Sequence, residues 1–73
     1  MNVSLKQLEI FVTIAECGNF TEAGRRLYLA QSTVSSHISS LEDALRVSLF
    51  RRESKRNIEL TADGKRVYEY AKD

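Results

Sequence analysis

Residues 31–46 read QSTVSSHISSLEDALR, and the reading of this stretch decides the fold. As a helix it places Val34, Ile38, Leu41 and Leu45 on one stripe, at spacings of four, three and four. Ser32, Ser36, Ser39 and Ser40 fall on the opposite face, with Thr33, Ser35 and His37 on the flanks, and no charge occurs before Glu42. A face turned to water usually carries Lys and Glu, which form helices well and keep a surface soluble. Serine and threonine are weaker helix formers, so a face built from them suggests close approach to a hydrogen-bonding partner such as groove edges and phosphates. The plainer reading is a solvated polar face that happens to be rich in serine.

Just before it, Tyr28 to Ala30 reads as a short turn, preceded by a helix of about two turns that Asn19 can cap, with Glu22 three residues on. Phe20, Ala23, Gly24 and Leu27 share one face of this helix, which is too short to stand alone. Gly24 costs up to about 1 kcal/mol against Ala. It reads either as a point where the next helix comes too close for a methyl group, or as a tolerated surface glycine. Two helices, the first short, joined by about three residues describe a helix-turn-helix. Ala30 is a poor cap, so the second helix starts with unsatisfied N–H groups that an anion such as a phosphate oxygen can satisfy.

The first helix is announced by an S-x-x-Q capping box, Ser4 with Gln7, and by Val3 and Leu8 at staple spacing. Leu5, Leu8, Phe11, Val12 and Ala15 form its expected core stripe. Ile10 and Ile14 lie off that stripe and read either as scattered surface hydrophobes or as a ridge for a partner helix. Gly18 fits a left-handed C-terminal cap.

Past Arg46 the periodicity changes. Leu49-Phe50 and residues 58–60 read as the strands of a β-hairpin around the basic segment 53–57. A hairpin after a helix-turn-helix is a wing, and its tip can set cations in a minor groove. Net charge is only +1, yet Arg46, Arg51, Arg52, Lys55 and Arg56 face a single acid, Glu53, in that region. The cluster reads either as a phosphate-contact surface or as an ordinary solvated charge run. Thr61 caps a last helix whose apolar residues, Val67, Tyr68, Tyr70 and Ala71, spread around its circumference. It reaches Asp73 without a C-cap, which suggests a fragment of a longer chain.

Seventy-three residues make one small domain, a size that buries only about 60% of its unfolded surface. Proline is absent, which suits a mostly helical chain. The lone Cys17 excludes an intrachain disulfide and a cysteine zinc cage, and reads as a half-buried hydrophobe. No apolar run approaches the roughly 20 residues of a membrane span, and Met1-Asn2-Val3 does not open a signal peptide. A cytoplasmic protein without membrane contact is expected. One His, one Cys, no Gly-rich phosphate loop and too few residues for a deep pocket argue against an enzyme, and no cofactor or metal is expected. A protein-docking module is the remaining rival, disfavoured by the basic wing beside an uncharged helix.

The segments LKQLEIFVTIAECGNFTEAGRRLYLAQSTVSSHISSLEDALRVSLFRR and IELTADG resemble the N-terminal DNA-binding domain of LysR-type transcriptional regulators. The resemblance rests on Leu8, Phe11, Phe20, Ala23, Leu27, Gln31, Val34, Ser35, Ile38, Leu41, Glu42, Leu49, Phe50, Arg52, Leu60, Thr61 and Gly64 at fixed spacings. It implies a mostly α fold with a small β-hairpin: a winged helix-turn-helix over residues 1–61, then the start of a dimerising linker helix over 62–73. An effector-binding domain, outside this chain, would take the small-molecule effector. The implied function is sequence-specific binding of double-stranded DNA by a homodimer on an inverted repeat, with a tetramer as a further option for the full-length protein. Gln31, Ser32, Thr33, Ser35 and Ser36, with His37 and Ser39, would face the major groove and nearby phosphates. Arg51, Arg52, Lys55 and Arg56 would serve the backbone and minor groove. His37 reads first as a neutral polar residue at the core edge and only second as a pH-sensitive phosphate contact, since histidine ordinarily titrates near about 6.5.

The chain departs from the family pattern at four places. Arg46 stands where Gly usually closes the helix, so the turn into the wing is expected to be shaped differently or the helix to run on. Gly24 replaces Ala, and Ser36 stands where relatives often carry Arg. The wing is one residue longer than the commonest spacing, which leaves either Lys55 or Arg56 for the minor groove.

Overall fold

The computed structural model describes residues 3–51 and 58–72. Four helices and one small hairpin follow in chain order: α1 (Leu5–Cys17), α2 (Phe20–Leu27), α3 (Gln31–Leu45), β1 (Phe50–Arg51), β2 (Glu59–Leu60) and α4 (Ala62–Ala71). The strands pair antiparallel, Phe50 with Leu60 and Arg51 with Glu59.

The starts of α1, α2 and α4 are fixed by side chains that stand in for the missing helical acceptors. The Gln7 N–H donates to Ser4 Oγ at 3.1 Å while Gln7 Oε1 accepts from the Ser4 N–H at 3.0 Å, completing the capping box. Asn19 Oδ1 accepts from the Glu22 N–H, and Thr61 Oγ1 from the Gly64 N–H. Ala30 provides no such bond to α3.

The helix ends are equally specific. Gly18 closes α1 at φ 85°, as the sequence predicts. Both α2 and α3 close on a non-glycine residue in the left-handed region, Tyr28 (φ 58°) and Arg46 (φ 59°). Each end carries the paired bonds of a Schellman motif. Leu29 N–H reaches Gly24 O and Tyr28 N–H reaches Arg25 O; Val47 N–H reaches Glu42 O and Arg46 N–H reaches Asp43 O. The expected change at Arg46 is therefore corrected: the helix stops at Leu45, and the arginine adopts the backbone conformation that glycine adopts without a Cβ penalty.

The core consists of Ile10, Phe11, Ile14, Phe20, Ala23, Val34, Ile38, Leu41, Leu49 and Phe50. The α3 stripe behaves as its spacing predicts, with Leu45 at the partly buried margin. The α1 reading needs correction. Ile10 and Ile14 are neither scattered surface residues nor a ridge for an outside helix; both are fully buried. Leu5, placed on the core stripe, is 86% exposed, and Leu8, Val12 and Ala15 are only partly buried. The physical reason is that α1 is enclosed from more than one direction: it packs against α2, α3 and α4. A helix covered on two sides carries two apolar ridges, and spacing alone does not say which is the deeper.

Gly24 is buried, and a Cβ there would lie 2.7 Å from the Leu29 carbonyl oxygen, whereas Val34 Cγ2 would be at an ordinary 3.6 Å. The close approach is real, but it is made by the turn rather than by α3. At the other end of the domain, Phe50 brings β1 onto the core through Phe11 and Phe20, with ring centroids 5.3 and 5.8 Å away. Cys17 is half-buried with a free thiol.

Tyr68 ties α4 to α1, its hydroxyl donating to Glu16 Oε2 at 3.2 Å. Partial burial, and then the Glu16 carboxylate, raise the Tyr68 pKa above the usual tyrosine value. The folded state thus prefers the protonated phenol. Its contribution is complete below about pH 10 and is lost as pH rises through the folded value. Tyr68→Phe is expected to flatten the alkaline fall of stability, measured as melting temperature from about pH 9 to 11.

Candidate nucleic-acid interface

The helix-turn-helix is α2, the turn and α3, and packing against α1 and α2 leaves one side of α3 open. Gln31, Ser32, Ser36, Ser39 and Ser40 are exposed there, and Thr33, Ser35 and His37 are half-buried at the flanks. None of these hydroxyls is in the core. Ser32, Thr33, Ser36, His37 and Ser40 line one shallow, open depression along the helix. Gln31, Ser35 and Ser39 do not line it; helical spacing turns them towards the other flank. The predicted face is thus one continuous surface with two sides.

This surface presents hydroxyls, the Gln31 amide and the His37 imidazole, with no carboxylate before Glu42, and at its start a helix terminus with no side-chain cap. Partial positive charge collects on such N–H groups, so the surface favours an anion at one end and exchanges hydrogen bonds along its length. Positive charge nearby is partly committed. Arg25 and Arg26 share the Glu22 carboxylate, at 3.1 and 3.4 Å from their Nε atoms. The Arg25 bond holds Glu22 below the usual carboxylate range. Arg51 is exposed on β1, opposite Glu59. Arg52, Lys55 and Arg56 lie outside the described residues, as does the expected hairpin tip.

Two supporting residues carry more than the sequence reading assigned them. Glu42, noted only as part of a pattern, accepts the Leu49 N–H at 2.7 Å and so joins α3 to the approach to β1. Thr61, read as a cap, also donates from Oγ1 to Ser48 O at 2.6 Å, while its N–H reaches Leu49 O at 3.0 Å. The Ile58 N–H adds a bond to Gly18 O at 3.1 Å, fixing the hairpin base to the α1–α2 junction. The sequence offered one clue to Glu42: it is the first charge on a helix whose preceding eleven residues carry none.

Among the described residues, no helix is long and apolar enough to cross a membrane, and no group of three or more His, Cys, Asp or Glu is arranged to hold a metal ion.

Comparison with known proteins places this geometry. A RuBisCO operon transcriptional regulator of Allochromatium vinosum is 39% identical over 72 residues, covering 99% of this chain and 24% of the relative. The HTH-type transcriptional activator AaeR of Escherichia coli (strain K12) is 42% identical over 65 residues, 89% of this chain and 21% of its own length. The chain therefore spans under a quarter of these relatives. Among solved structures, the CbnR DNA-binding domain in complex with DNA superimposes with a TM-score of 0.90 at 39% identity, over 94% of this chain and 78% of that one. The BenM DNA-binding domain on its catB site 1 DNA gives a TM-score of 0.89 at 37% identity, over 93% and 74%. The family described as bacterial regulatory helix-turn-helix protein, lysR family, matches residues 5–65, and the chain belongs to that family.

Proposed function

We propose that this chain binds double-stranded DNA sequence-specifically, as the N-terminal domain of a LysR-type transcriptional regulator. Residues 1–61 form the winged helix-turn-helix, and residues 62–73 begin the linker helix through which a homodimer forms. Effector binding belongs to a C-terminal domain outside this chain, and the chain itself is not an enzyme. The observation that carries the reading is the exposed, uncharged, hydroxyl-lined face of α3 with its uncapped start. The superposition on DNA-bound CbnR and BenM domains supports it. Gln31, Ser32, Thr33, Ser35, Ser36, His37 and Ser39 serve the major groove and its phosphates. Arg51, Arg52, Lys55 and Arg56 serve the backbone and minor groove.

Selection of bound sequences from a random duplex pool tests the reading. An enriched inverted repeat with half-sites about one helical turn apart is expected, and recovery of no sequence above background would contradict it. Within the site, residues differ in what they read. Gln31→Ala should cost about 1–3 kcal/mol on the selected sequence and relax the preference at one base. Equal weakening on all sequences would remove Gln31 from base readout. Arg56→Ala should weaken selected and random DNA alike and reduce the salt slope by about 0.9 per lost phosphate contact.

A further inference from the structure

The turn between α2 and α3 holds a residue that nothing inside the fold explains. Tyr28 is 94% exposed, more than any other large apolar side chain among the described residues. It also occupies the left-handed region, at φ 58° and ψ 40°, where glycine and asparagine are far more at ease. The turn itself does not need a tyrosine. Its bonds, Tyr28 N–H to Arg25 O at 3.4 Å and Leu29 N–H to Gly24 O at 2.9 Å, are main-chain only. Tyr28 stands two residues before Ala30, the N-cap position of α3, where the uncapped N–H groups begin.

We propose that Tyr28 extends the DNA-contacting surface onto the sugar-phosphate backbone, its hydroxyl donating to a phosphate oxygen and its ring covering the adjoining sugar. This inference rests on the DNA-binding reading above. A phosphate contact fixes the position of the protein but carries no base information. The phenol is neutral, so the contact displaces no counterion and leaves the salt slope as it was.

The test measures binding by fluorescence anisotropy to the duplex recovered from selection and to a scrambled duplex, for the wild-type chain, Tyr28→Phe and Tyr28→Asn. Tyr28→Phe should weaken both duplexes by a similar factor, about five- to tenfold, with an unchanged salt slope. Tyr28→Asn suits the left-handed turn, so it should melt at or above the wild-type temperature while losing at least as much affinity. Wild-type affinity in both variants would overturn the proposal and leave DNA binding intact. A loss confined to the selected duplex would overturn the phosphate role. A folded wild-type chain that ignores both duplexes would overturn the DNA-binding reading and this inference with it.

Discussion

Gly64→Ala should lower the melting temperature by roughly 12–24 °C, the equivalent of about 3 kcal/mol in a domain this small. A Cβ at Gly64 would lie 2.1 Å from the Leu49 carbonyl oxygen and 3.0 Å from Leu60 Cδ2. Leu49 cannot step aside cheaply. Its side chain is fully buried, its N–H is held by Glu42 and its carbonyl accepts the Thr61 N–H. Moving it would disturb α3, the hairpin base and the start of α4 together. Gly18 gives the contrast: nothing lies within 4 Å of its Cβ position, so alanine there meets only the left-handed backbone penalty, about 1–2 kcal/mol. Thermal denaturation followed by circular dichroism separates the two. A Gly64→Ala variant melting within a few degrees of wild type would show that the Leu49 backbone yields freely.

Ser36→Glu should abolish DNA binding while leaving the fold as stable as before. Ser36 is exposed on the outer face of α3 and lines its shallow depression. Glutamate forms helices better than serine, so the isolated protein loses nothing. Against a duplex, the carboxylate would meet the field of the phosphates and bury a charge with no partner. Such like-charge contact costs several kcal/mol, so the loss should exceed about 100-fold. Titration of the selected duplex with wild type, Ser36→Glu and Ser36→Ala checks this, with alanine losing far less than glutamate. Glutamate binding within a fewfold of wild type would move the interface off this helix face and favour a protein-docking role.

Much of the architecture was legible because the helix starts are written in side chains. Ser4, Gln7, Asn19 and Thr61 each make a capping bond three residues away, within the span that sequence spacing can show. The α3 stripe was legible because that helix is covered from one side, so its apolar and polar faces separate cleanly. The α1 core ridge was not, because that helix is wrapped by α2, α3 and α4, and the deeper of its two ridges is set by tertiary packing. The left-handed ends at Tyr28 and Arg46 were hidden for a related reason. Backbone conformation there follows from how the chain must leave the helix, and neither residue type signals it. In the candidate site, the composition of the α3 face was readable, whereas the Glu42 bond to Leu49 spans seven positions and appears only once the strand is placed.

That bond has a mechanical meaning. Glu42 grips the approach to β1 from α3, and Thr61 grips the same approach from the first turn of α4. Three hydrogen bonds thus clasp two consecutive residues, Ser48 and Leu49, between the end of α3 and the start of α4, so the strand cannot leave either helix without giving up a bond.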